Sequence, residues 1–334
     1  MKAKKIYSLA SILLIGGVVI FFSCKKDNSS NNVSLTSSQV NEAQQSESDD
    51  ALADKVEQDM DNNMDNLESN GYSSSTAKSA IADCVGITID SITNAGGWPR
   101  NITFTYNCQD TVNDEVISQL GTINVVVTRG AKTSGGYLYK RDITFTDYKV
   151  TIDSVSTFNL ATSPSIRITG TRTVTRTNIK PYLSDNNKML RLVINDSIKS
   201  DMSFSIKYGD STYTFTRFVD RQRNAFLHFS KPFHRWISVI DNDTLTLTGP
   251  VTGTNARGYN YTRNITTPLL FTFCPLWPFN LIISSGEIDL SNSNGVTGTI
   301  TYAATGCKTI VTLTVNGKSK IITRNFGRRF HKWW

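Results

Sequence analysis

Ile166-Arg167-Ile168-Thr169-Gly170-Thr171-Arg172-Thr173-Val174-Thr175-Arg176-Thr177 decides the fold. Ile166 and Ile168 open a run whose other face is Thr169, Thr171, Thr173, Thr175 and Thr177. A period of two places alternate residues on opposite faces of a strand. The same rhythm recurs on either side. Ile102, Phe104 and Tyr106 alternate with Thr103, Thr105 and Asn107, and Ile123, Val125 and Val127 with Thr122, Asn124 and Thr128. Tyr213 and Phe215, Leu245 and Leu247, and Val311, Leu313 and Val315 repeat it. The 40 threonines sit disproportionately on the polar faces. β-Branched residues suit a pleated surface, and one apolar face with one wet face marks antiparallel sheet.

Turn chemistry separates these runs. Tyr208-Gly209-Asp210-Ser211 and Val315-Asn316-Gly317-Lys318 have the two-residue hairpin form, while 241–243 and 292–295 are slightly longer versions. Around Asp147 the apolar parity slips from Ile143 and Phe145 to Tyr148, Val150 and Ile152, as a β-bulge requires. The pattern predicts roughly fifteen strands. Residues 84–334 are therefore expected to form an all-β body, an antiparallel meander of hairpins curled into a sandwich or partial barrel, with room for two lobes. The strands read as mostly shorter than the ~9–11 residues that cross a bilayer, which argues against a membrane barrel.

One helix is expected before the body. Leu52, Val56, Met60, Met64 and Leu67 align on one face, and Asp49, Asp50 and Asp54 crowd the first turns, where negative charge suits the helix dipole. Asn70-Gly71 supplies the stop. The apolar stripe is expected to lie on the chain's own domain. This acidic segment and its linker occupy 49–83. Residues 24–48, rich in Ser, Asn and Gln, read as a flexible tether.

The chain opens with Lys2, Lys4 and Lys5, an uncharged run from Ile6 to Phe22, and Ser23-Cys24. That is the layout of a secretory signal over 1–23. An uncleaved helix or a simple signal peptide are the alternatives, although a spanning helix has no use for a small residue and a cysteine at its end. Charge divides along the chain. Residues 25–83 carry 12 acids and 4 bases, and residues 84–334 carry 16 acids and 28 bases. An acidic stem thus bears a basic body, whose natural partners in an envelope are anionic polysaccharide or lipid phosphates rather than nucleic acid. Cys84, Cys108, Cys274 and Cys307 form an even set that allows three disulfide connectivities. Sequential pairing, Cys84–Cys108 and Cys274–Cys307, closes the shortest loops; free thiols are the alternative.

Four stretches, Ile166–Thr177, Thr248–Asn255, Tyr261–Leu269 and Cys307–Gly317, resemble uncharacterised Thr-rich β lipoproteins of the Bacteroidota. Ser23-Cys24, with Phe21 where leucine is usual, resembles their lipobox. The resemblance implies that Cys24 is alkylated by diacylglycerol, acylated (palmitate), and tethered to the outer membrane on a side left open. It implies no catalytic residue.

No Gly-x-Ser-x-Gly and no phosphate loop occurs, and no Cys/His spacing suits a metal. No cofactor is expected. Glu287 and Asp289 share a strand face, as a glycosidase pair would, but surface strands carry such pairs commonly. His228 and His234 lack further ligands. Two clusters suit binding: Arg221, Arg223, Lys231, Arg235 and Trp236, and Arg324, Arg328, Arg329, Phe330, His331, Lys332, Trp333 and Trp334. Aromatic faces stack on sugars, and guanidinium forks grip phosphate and carboxylate. The expectation is a non-catalytic, lipid-anchored envelope protein with a structural or binding role. A glycan-active hydrolase and a subunit of a surface assembly are the alternatives.

Overall fold

The computed structural model describes residues 53, 54, 57, 60, 61, 64, 85–91, 98–112, 115–133, 136–154, 163–183, 189–230, 244–274 and 280–325. Among the described residues, fourteen strands form one antiparallel sheet. They are β1 (Val85–Ser91), β2 (Arg100–Val112), β3 (Glu115–Thr133), β4 (Gly136–Ser154), β5 (Ser165–Leu183), β6 (Met189–Tyr208) and β7 (Ser211–Ser230). There follow β8 (Thr244–Thr248), β9 (Pro250–Thr254), β10 (Asn260–Cys274), β11 (Asn280–Asn292), β12 (Thr297–Thr305), β13 (Lys308–Val315) and β14 (Lys318–Asn325). Neighbours in sequence are neighbours in the sheet, as a meander requires. One position departs from this: β8 and β9 together fill the slot between β7 and β10.

Two of the expected hairpins turn where the sequence places them, and the turn expected at 241–243 lies outside the described residues. Tyr208 pairs with Ser211 across Gly209-Asp210, and Val315 with Lys318 across Asn316-Gly317. Asn316 (φ 49°) and Gly317 (φ 78°) are both left-handed, the geometry that matches strand twist. Asp147 (φ 54°) is the bulge, and the register shifts there between Phe145 and Tyr148. It keeps Tyr148 and Val150 on the inner face with Ile143 and Phe145.

The expected strand lengths are wrong. β3, β4 and β5 each run 19 residues, and β6 and β7 run 20. On β4 to β7 buried charged residues, among them Arg141, Arg172, Asp196 and Arg217, interrupt the apolar face midway and shorten the run that periodicity shows. Length is thus no argument against a barrel in a membrane, but the outer face is. Its rows are polar: Thr88, Thr103, Asn124, Thr144 and Thr171 lie side by side across β1–β5. A lipid-facing wall needs an apolar band there. No helix among the described residues is long and apolar enough to cross a membrane.

The inner face of β1–β7 carries the main core. Phe204 and Phe215 stack at 4.6 Å between centroids, and Tyr106 meets Tyr148 edge-on at 4.8 Å. Around them lie Ile102, Phe104, Ile143, Phe145, Ile166, Ile168 and Met202, all nearly inaccessible. Each such burial stabilises by roughly 1.5–3 kcal/mol, so this cluster supplies the bulk of the cohesion. A second cluster, built on Leu269, Ile288, Ile300, Val311, Leu313 and Val315, serves β10–β13.

The expected helix over 49–69 is described at six positions, Ala53, Asp54, Glu57, Met60, Asp61 and Met64, and all six are helical. Ala53, Met60 and Met64 are buried in the main core. Leu52, Val56 and Leu67 lie outside the described residues, as do the expected signal and tether.

Candidate functional site

Beside the aromatic core, the inner face of β4–β7 changes character from hydrocarbon to charge. Strand alternation keeps Arg172, Val174 and Arg176 of β5 on the side of Ile166 and Ile168, opposite the threonines. On β7 the same rule aligns Phe215, Arg217, Val219 and Arg221. Register then sets rows across the sheet. Gly170, Met202 and Arg217 form one, Arg141, Val174, Ile198 and Arg221 another, and Tyr139, Arg176, Asp196 and Arg223 a third.

Charges this deep survive only when paired. The helical residues supply the partners. Asp54, Glu57 and Asp61, at spacings of three and four, share one helix face. Glu57 receives hydrogen bonds from Arg172 Nη1, from Arg217 Nη1 at 2.5 Å and from Ser200 Oγ at 3.1 Å. Asp61 accepts from Arg172 Nη2 and Arg223 Nη1, each at 2.9 Å. Asp54, at the edge of the cluster with 42% of its side chain exposed, accepts from Arg217 Nη2 and from Arg221 Nη1 at 2.6 Å. The sheet adds its own carboxylate. Asp196 receives Arg176 Nε at 2.9 Å and Arg223 Nη2 at 2.7 Å. Tyr139 lies under two guanidiniums, Arg141 at 4.0 Å and Arg176 at 4.4 Å.

Burial opposes ionisation of Asp61, but Arg172 and Arg223 outweigh it and hold its carboxyl below the ordinary 3.8. Burial likewise opposes ionisation of Asp196, where Arg223 and Arg176 prevail in the same direction. Both folded values lie below the unfolded ones, so the unfolded chain binds more protons as pH falls. Their stabilisation is complete above about pH 4 and is lost as acid titrates the folded carboxyls below it. Acid unfolding of Asp61→Asn plus Asp196→Asn should therefore be less steep below pH 4 than that of the unaltered chain, read by urea midpoints across pH 2–6.

The expected binding clusters fare differently. Arg221 and Arg223, expected on a surface with Arg235 and Trp236, instead point inward and are engaged by Asp54, Asp61 and Asp196. Arg221 is 3% exposed. The alternating pattern put them on the core face, and an aromatic-basic composition disguised it. Lys231, Arg235, Trp236 and His234 lie outside the described residues, as do Arg328, Arg329, Phe330, His331, Lys332, Trp333 and Trp334. Arg324 pairs with Thr309 through the β14 backbone. Asp54, expected as a complement to the helix dipole, is an ion-pair partner. Glu287 faces the threonine side, within reach of the hydroxyls of Thr301 (3.4 Å) and Thr266 (3.5 Å). Cys108 is buried on β2, Cys307 lies between β12 and β13, and Cys274 ends β10. Cys84 and Cys24 lie outside the described residues.

No protein-family model, curated protein or solved structure matches this chain. Its geometry carries the functional reading alone.

Proposed function

We propose that this is a non-catalytic, lipid-anchored cell-envelope protein whose β body serves a structural or binding role towards anionic glycan or lipopolysaccharide. Cys24 is the attachment point to the outer membrane, and 1–23 is the cleaved signal. The observation that carries the reading is how the stem meets the body. Asp54, Glu57 and Asp61, which follow the tether, are engaged in ion pairs with Arg172, Arg217, Arg221 and Arg223. An anchor at Cys24 thereby leads into the core of the sheet. Carboxylates held this way serve cohesion, not proton transfer.

Export also suits two disulfides. Val85, which follows Cys84, pairs with Tyr106, two residues from Cys108. Cys274 pairs with Asn280 at the end of the sheet where Thr305 pairs with Lys308, beside Cys307.

Intact mass of the native product tests the anchor. The expected species begins at an acylated Cys24, and a chain that keeps Met1 or carries no acyl group overturns it. Retention on isolated envelope polysaccharide tests the glycan role. Arg328→Ala plus Arg329→Ala should weaken retention at least about tenfold, the effect of losing one charge-assisted contact. Equal retention would reject the tail as the contact.

A further inference from the structure

We propose that the inner face of β4–β7 is a binding site for an anionic amphiphile, a phosphate or carboxylate head on an apolar chain, and that Ala53, Asp54, Glu57, Met60, Asp61 and Met64 occupy it as an internal stand-in. The proposal does not rest on the envelope reading above.

The face has two adjoining zones. Phe145, Tyr148, Ile168, Met202, Phe204 and Phe215 make the apolar one. Arg172, Arg217, Arg221 and Arg223 make the cationic one, and the register of Met202 with Arg217 joins the two edge to edge. The segment covering them has the matching halves. Asp54, Glu57 and Asp61 meet the guanidiniums, and Ala53, Met60 and Met64 meet the hydrocarbon. A head with negative oxygens and a flexible apolar body has the same complementarity, because guanidinium forks recognise phosphate and carboxylate alike.

The segment's match to the cationic zone is incomplete. Arg172 is 3% exposed, yet its Nε has no hydrogen-bond partner, and neither has Oδ1 of buried Asp61. Unmet buried polar atoms are costly and rare. Glu57 and Asp61 meet Nη1 and Nη2 of Arg172 and leave Nε unmet. A free phosphate head has three terminal oxygens to offer. The segment also acts from within the chain, so a competitor must offer both halves to displace it. Inorganic phosphate offers only one.

The test uses the full chain with Cys24→Ala, so that no acyl group of its own competes. Dodecyl phosphate below its micelle concentration is titrated by calorimetry, with inorganic phosphate and dodecyl maltoside in parallel. Hydrogen exchange is followed across 53–64. The expected result is saturable one-to-one binding of dodecyl phosphate alone, with exchange across 53–64 at least about tenfold faster at saturation. Asp54→Asn plus Glu57→Gln should tighten binding about tenfold, and Arg172→Met should weaken it about tenfold. Unchanged exchange at saturation overturns the proposal. So does an equal response to inorganic phosphate, which assigns the site to the free ion, or to dodecyl maltoside, which assigns it to hydrocarbon. The exchange measurement on the chain with native arginines stands even if the Arg172 variant does not fold.

Discussion

Glu57→Ala is expected to lower the unfolding free energy by roughly 3–5 kcal/mol, the cost of breaking a buried pair from one side. Glu57 is the carboxylate shared by Arg172, Arg217 and Ser200. Both guanidiniums lie far from water, at 3% and 0% exposure. Each keeps a second contact, Arg172 to Asp61 and Arg217 to Asp54, but those acids already serve other arginines. Removing Glu57 leaves two buried guanidiniums sharing Asp54 and Asp61 with Arg221 and Arg223. Asp54→Ala should cost less, because water already reaches that carboxylate and can take its place beside Arg217 and Arg221. Urea unfolding of the unlipidated chain measures both. A Glu57→Ala loss below about 1 kcal/mol would mean that the cluster holds nothing together.

Gly170→Ala is the second large effect, and its cause is purely steric. Gly170 sits in β5 with φ at +126°, and a β-carbon there would stand 2.3 Å from the carbonyl oxygen of Asp201 and 2.8 Å from Cα of Met202. Both are backbone atoms of β6, fixed by 18 ladder pairs between the two strands. Strain at a disallowed φ costs about 1–3 kcal/mol and forced overpacking a similar amount, so a loss of at least about 3 kcal/mol is expected. Gly86→Ala is the control. Its nearest neighbour would be Thr105 at 3.6 Å, an ordinary contact, and the change should stay within about 0.5 kcal/mol. Equal melting of the two variants would place β5 and β6 further apart than described.

Much of the fold is legible in the chain because backbone rules are local. The threonine faces, the hairpins at Gly209 and Asn316, and the bulge at Asp147 each follow from a few adjacent residues. The helix-to-sheet network is different. Asp54, Glu57 and Asp61 lie 111 to 167 residues from the arginines they meet, and no local pattern announces that meeting. Part of the signal was nevertheless present. Arg172 and Arg176 share parity with Ile166 and Ile168, and Arg217 and Arg221 share parity with Phe215, which puts four long cations on a face otherwise apolar. Cations on a core face imply buried acids, and the acidic stem is the nearest supply. Strand length misled on β5 and β7 for the same reason, since those arginines interrupt the apolar run of each.

Coupling between Glu57 and Arg217 tests the central claim most directly. The two singles, Glu57→Gln and Arg217→Met, and their double form a cycle measured by urea unfolding. A stem seated on the sheet through this pair predicts an interaction of about 2 kcal/mol, with the double variant much less damaged than the sum of the singles. Additivity within about 0.5 kcal/mol would show that the two side chains do not meet, and would contradict the seating of Asp54, Glu57 and Asp61 on β5–β7.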